Sequence, residues 1–91
     1  MYKLEFKQVE HANSVYPYLL VYLLEENQSM EDIELFPFLR IFVEADNKLY
    51  FEIYPATQPV YLTEAHWEGI LLKAREFLKA LLANDNRNHN R

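Results

Sequence analysis

The sequence predicts a small α+β domain: an antiparallel sheet containing a β-hairpin at about 38–54, packed by a long C-terminal helix at about 64–83, with a second helix near 14–26. Three observations carry this. Tyr2–Val9 alternates apolar and polar residues; two more alternating runs flank a short turn around Asp46; and from Trp67 onward apolar residues recur at spacings of three and four. Period two marks a strand with one buried face, and spacings of three and four mark a helix with one buried stripe. The order strand, helix, strand, strand, helix then gives an antiparallel sheet covered on one face.

In the first strand, Tyr2, Leu4 and Phe6 alternate with Lys3, Glu5 and Lys7. The break at His11–Ser14 supplies cap-type residues, with Asn13 or Ser14 placed to start a helix. Val15–Leu24 fits two structures. As a helix it gathers Tyr16, Leu19, Leu20, Leu23 and Leu24 on one stripe, with Pro17 tolerated in the first turn. As a strand it is apolar on both faces but rich in leucine rather than β-branched residues. Helix is the favoured reading. In Glu25–Glu34, Ser29-Met30-Glu31-Asp32 has the pattern of a helix start, which Pro37 would end after one short turn.

The hairpin register follows from its side chains. A two-residue turn at Asp46-Asn47 would oppose Glu44 to Leu49 and Val43 to Tyr50, mixing polar and apolar on both faces. A three-residue loop at 45–47 opposes Val43 to Leu49, Ile41 to Phe51 and Leu39 to Ile53. Its other face opposes Glu44 to Lys48, Phe42 to Tyr50, Arg40 to Glu52 and Phe38 to Tyr54. Register settles where one face can be buried, and Asn47 suits the left-handed position of such a loop, so the second pairing is predicted.

In the final helix Thr63 is the expected N-cap, Glu64 favours the first turn, and Leu62 with Trp67 occupy hydrophobic-staple positions. Trp67, Ile70, Leu71, Ala74, Phe77, Leu78 and Leu81 form the expected core stripe. Gly69 sits mid-helix at a cost of about 1 kcal/mol relative to alanine. Asn84 is the expected end, leaving residues 84–91 as a disordered polar tail after a single domain at 1–83.

Composition narrows the class. Ninety-one residues make one domain, 51% hydrophobic and 15% aromatic with a single glycine, which is a globular composition. Cysteine is absent, which excludes disulfides, thiolate chemistry and cysteine-bound zinc. The alternation of Tyr2–Val9 is unlike a secretory signal, and Val15–Leu24 is half the ~20 residues a bilayer-spanning helix needs, so a cytoplasmic protein with no membrane partner is expected.

Charge is distributed unevenly. The formal net charge is −5, yet Gln8–Leu39 contains no lysine or arginine and six acids, Glu10, Glu25, Glu26, Glu31, Asp32 and Glu34. Such a segment suits a basic or neutral partner and disfavours a phosphate backbone, so no nucleic-acid partner is expected. It is equally what a solubilising loop looks like.

No chemistry-bearing motif stands out. His11, His66 and His89 are scattered, and His66 lacks the partner at i+4 that a zinc-type helical pair requires. Ser14 and Ser29 lie outside any nucleophile elbow, and one glycine cannot build a phosphate-cradling loop. The expectation is no enzyme activity, no catalytic residue, no metal and no cofactor.

The surface of interest is the second face of the hairpin, where Phe38, Phe42, Tyr50 and Tyr54 are interleaved with Arg40 and Glu52. If a helix covers it, these aromatics are core; if not, aromatics around an arginine have the composition of an interface. Together with the acidic segment they are the candidate partner-binding residues. The leading expectation is a small acidic protein-binding module, an inhibitor or immunity-type protein that neutralises a basic partner enzyme. The alternative is an assembly protein that forms a homodimer through the aromatic face or a strand edge, and the third is a small-ligand carrier or enzyme.

Overall fold

The structure is a computed structural model, and it describes residues 3–10, 16–27, 29, 31 and 36–89, with side chains through 83. It is an antiparallel meander followed by one helix: β1 (Lys3–Val9), β2 (Tyr18–Leu24), β3 (Leu39–Val43), β4 (Leu49–Ile53) and α1 (Glu64–His89). The strands lie in the order β1-β2-β3-β4, so each pairs with its neighbour in sequence. This is the expected α+β class.

The main correction is at 14–26. The predicted helix is absent, and Tyr18–Leu24 is a strand held between β1 and β3. Leucine content was a poor guide because strand preference is decided by what the two faces of the sheet meet. Leu19 and Val21 point into the core, while Tyr18, Leu20 and Tyr22 alternate onto the other face and are half-buried there. A strand paired on both edges can be apolar on both faces; an amphipathic helix needs a polar side, which Tyr18–Leu24 lacks. Pro17 immediately precedes the strand, where its missing N–H costs no ladder hydrogen bond. The predicted cap residues Asn13 and Ser14 lie outside the described residues.

The hairpin agrees with prediction pair by pair. Val43 opposes Leu49, Phe42 opposes Tyr50, Ile41 opposes Phe51, Arg40 opposes Glu52 and Leu39 opposes Ile53. The Asn47 N–H donates to the Glu44 carbonyl at 2.9 Å, and Asn47 has φ 61°, the left-handed residue that closes a three-residue loop.

One face of the sheet carries the core. Leu19, Val21, Leu39, Ile41 and Val43 pack against Ile70, Ala74, Phe77 and Leu81 of α1, with Leu4, Phe6, Phe38, Leu49, Leu62 and Leu78 at the margins. The helix leans toward β1: the Lys73 ammonium sits 6.0 Å from the Phe6 ring centroid, and a Cβ at Gly69 would lie 3.9 Å from a methyl of Leu4. That contact is ordinary, so Gly69 is not required by space. Trp67 and Leu71 occupy the opposite flank and are 41% and 38% exposed, a second correction: the buried stripe is narrower than the sequence pattern. The apolar spacing spans more of the helix surface than one flat sheet can cover.

The N-terminus of α1 is held reciprocally. Thr63 Oγ1 accepts from the His66 N–H at 3.1 Å, and His66 Nδ1 accepts from the Thr63 N–H at 3.0 Å. This is a capping box with histidine where glutamate or glutamine is usual. At its other end the helix passes Asn84 and continues to His89. No glycine or proline interrupts it there, and asparagine costs a helix only tenths of a kcal/mol.

Candidate protein-binding face

Among the described residues, no helix lies over the face of the sheet opposite α1. Successive residues of a strand alternate sides, so Arg40 and Phe42 of β3 and Tyr50 and Glu52 of β4 fall on this face, with Tyr54 continuing it past the end of β4. Neither helix that could have covered these aromatics does so, because Tyr18–Leu24 is a strand of the same sheet and α1 lies on its other side. Arg40, Phe42, Tyr50, Glu52 and Tyr54 are therefore brought together, whereas Phe38, also predicted for this surface, packs against the core at the sheet end.

Arg40 is the centre. Its Nε donates to Glu52 Oε1 at 2.8 Å across the hairpin, and its guanidinium lies 4.3 Å from the Phe42 ring centroid and 5.3 Å from that of Tyr18. A half-exposed ion pair contributes at most about 1 kcal/mol, and an exposed cation–π contact about 0.5–1 kcal/mol. Their larger effect is to hold the guanidinium flat in an aromatic frame. Phe42 and Tyr50 stack with ring centroids 5.5 Å apart and planes 16° from parallel. The Tyr50 hydroxyl donates to Asp46 Oδ2 at 2.7 Å, while the Lys48 N–H donates to Asp46 Oδ1 at 3.0 Å.

These bonds move the ionisable groups. The Tyr50 hydroxyl, then the Lys48 N–H, hold the Asp46 carboxyl below its ordinary value, and the same bond to Asp46 raises the Tyr50 phenol above its own. Partial burial raises the Tyr54 phenol, and its hydrogen bond to Glu52 adds to this. Beside Tyr54 an open pocket of about 390 Å³ is lined by Phe36, Pro37, Tyr54 and Pro55.

Tyr18, Leu20 and Tyr22 also belong to this face and were missed by sequence reasoning, because their segment was read as a helix. The signal was present: in YLLVYLL the tyrosines share one parity, and Leu19 and Val21 the other. The capping role of His66 was likewise missed, although Thr63 stands three positions earlier.

The acidic residues lie at one end of this surface. Glu25 and Glu26 follow β2 directly and are exposed, as is Glu31, at the end of the sheet where Phe38 and Tyr54 lie. The Glu31 N–H donates to Ser29 Oγ at 3.3 Å, and the rest of the predicted short turn lies outside the described residues. Asp32 and Glu34 lie outside the described residues, as does Met30.

Among the described residues no charged side chain is buried, and no three His, Asp or Glu side chains stand close enough to hold a metal ion. No helix among them is long and apolar enough to cross a membrane. Compared with protein-family models, characterised proteins and solved structures, the chain matches none.

Proposed function

We propose that this protein is a binding module that docks a basic protein partner on the outer face of its sheet. The observation behind this reading is that Tyr18 and Phe42 frame Arg40, with Tyr50 stacked on Phe42, on a face that no helix of the described residues covers, while Glu25, Glu26 and Glu31 are exposed at one end. Rigid aromatics lose little side-chain entropy on docking, and an arginine already held in place orders little further. Acids beside such a patch accelerate the approach of a basic partner and discriminate against acidic ones.

Nucleic acid fits this face poorly. Single-strand binding combines aromatic stacking with a basic groove, and here Arg40 is neutralised by Glu52 at 2.8 Å. The most specific form of the proposal is an inhibitor or immunity-type protein that occludes a basic enzyme. It is a binding role rather than a catalytic one, exercised in the cytoplasm.

The test uses immobilised protein and extract of the native host, followed by binding kinetics with each purified captured protein. The expected partner is basic. Its association slows and loses salt dependence when Glu25, Glu26, Glu31, Asp32 and Glu34 are changed to glutamine or asparagine, and its dissociation quickens in a Phe42→Ala, Tyr54→Ala variant. If the captured protein is an enzyme, adding the module suppresses its activity. Partners captured equally by both variants would refute this docking surface.

A further inference from the structure

The two edges of the sheet are built differently. The β1 edge carries Lys3, Glu5 and Lys7, with Lys3 and Glu5 paired at 3.0 Å, the charged kind of edge that discourages strand addition. β4, the other edge, has one charged residue, Glu52, already bound to Arg40. From Ile53 to Thr63 no residue is charged, in a chain of net charge −5. Two copies of an acidic chain meet with least repulsion where neither carries acids.

Among the described residues, no element covers the apolar side of this edge. α1 leans toward β1, so Phe51 and Ile53, on the core-facing side of β4, remain 39% and 66% exposed. Trp67 and Leu71, on the helix flank away from β1, extend the apolar strip. Since an aromatic side chain presents roughly 150–250 Å², these four residues expose on the order of 350 Å². A stable interface takes about 800 Å² from each partner, of which about 65% is apolar in homodimers, so the strip supplies most of that share.

Backbone geometry selects the occupant. The Tyr54 N–H donates to the Phe38 carbonyl at 2.9 Å, so by alternation Tyr50 and Glu52 also turn their backbone groups toward β3. Leu49, Phe51 and Ile53 turn theirs to the open edge. We propose that β4 pairs antiparallel with β4 of a second copy about a two-fold axis at Phe51, joining two four-stranded sheets into one. Phe51 then meets Phe51 of the second copy, and Leu49 meets its Ile53, each through outward-facing backbone groups. On the other side Tyr50 meets Glu52, and no like charges oppose. An axis at Glu52 would set two carboxylates face to face, and one at Tyr50 would leave Ile53 beyond the paired stretch. A self-complementary strand is what a two-fold interface requires.

This surface is distinct from the outer face, so its test is separate from partner binding. Sedimentation equilibrium at micromolar concentration should give twice the 11.0 kDa of one chain, with little dependence on salt. Ile53→Lys, at the more exposed position, should give a monomer with unchanged circular dichroism; Phe51→Lys should do the same. Because the chain has no cysteine, single substitutions read the register. Phe51→Cys should form a disulfide-linked dimer on mild oxidation, since facing residues of a hydrogen-bonded pair lie within disulfide reach. Leu49→Cys alone should crosslink at least tenfold more slowly. A wild-type monomer throughout the micromolar range would overturn the proposal and leave the edge to a strand of another protein. A dimer that persists in both lysine variants, or crosslinks equally at Leu49 and Phe51, would also overturn it.

Discussion

The two faces of this sheet are made by the same strands and meet different fates. On one, Leu39, Ile41, Val21 and Leu19 are closed under Ile70, Ala74, Phe77 and Leu81. On the other, Tyr18, Leu20 and Phe42 are only half-buried, Leu24 at one end is buried, and the contacts of Arg40, Phe42 and Tyr50 run between neighbours within the sheet. The difference lies in side-chain type. Aliphatic residues gain only by leaving water, whereas tyrosine and arginine bury a flat apolar body and keep a polar end wet. A face of the second kind tolerates water until a partner displaces it.

The comparison is broken most directly at adjacent residues of β3. Ile41→Ala empties a fully buried site and should cost about 2–5 kcal/mol. Phe42→Ala removes a larger but half-buried ring, whose partial burial predicts a loss of about 1–2 kcal/mol. Equal losses in urea denaturation would mean that the outer face is closed in solution. α1 offers the same contrast. Ile70→Ala should cost about 2–5 kcal/mol, and Trp67→Ala, on the exposed flank, about 1–2 kcal/mol despite removing the larger side chain. Leu72→Ala, 59% exposed, should stay within about 0.5 kcal/mol.

The helix cap comes next in size. Thr63→Ala removes the acceptor of the His66 N–H and should cost about 1 kcal/mol, read from the denaturation midpoint. A midpoint unchanged within error would mean water replaces the cap without loss.

The smallest expected effect sharpens the picture of the hairpin tip. Asp46 is held below its ordinary pKa chiefly by the Tyr50 hydroxyl. Its folded-state contribution is therefore present above about pH 4, the unfolded carboxylate range, and is lost as pH falls through the depressed value. The Tyr50 phenol is raised by the same bond, so its contribution is present below about pH 10 and is lost as pH rises through the raised value. Tyr50→Phe should accordingly be less stable than wild type between these limits and converge with it outside them. A stability difference that persists undiminished in acid and alkali would assign the effect to ring packing against Phe42 instead.

The edges repeat the lesson of the faces. β1 is guarded by charge along its length, while β4 has its one acid neutralised and its inward-pointing Phe51 and Ile53 left outside the helix footprint. The described residues hold one helix with which to cover four strands, and that helix settles over the strands with most to bury.

The α+β class, the β3–β4 pairing with its Asn47 loop and the start of α1 at Thr63 were all legible in the sequence. The physical reason is that each rests on local geometry. A three-residue loop admits one register that keeps Leu39, Ile41 and Val43 on one side, and a cap lies within one turn of the helix it closes. Arg40, Phe42, Tyr50 and Glu52 of the candidate binding face followed from that register alone. What surrounds them did not. Whether Tyr18–Leu24 forms a helix or a strand, whether Trp67 is core or flank, and which edge of the sheet stays open depend on where distant elements settle. A run apolar on both faces carries no periodicity to separate the two structures, and only its pairing with β1 and β3 decides for the strand. The helix flank was equally undecided, since the width of a buried stripe depends on the surface it meets, and that surface exists only once the four strands are assembled.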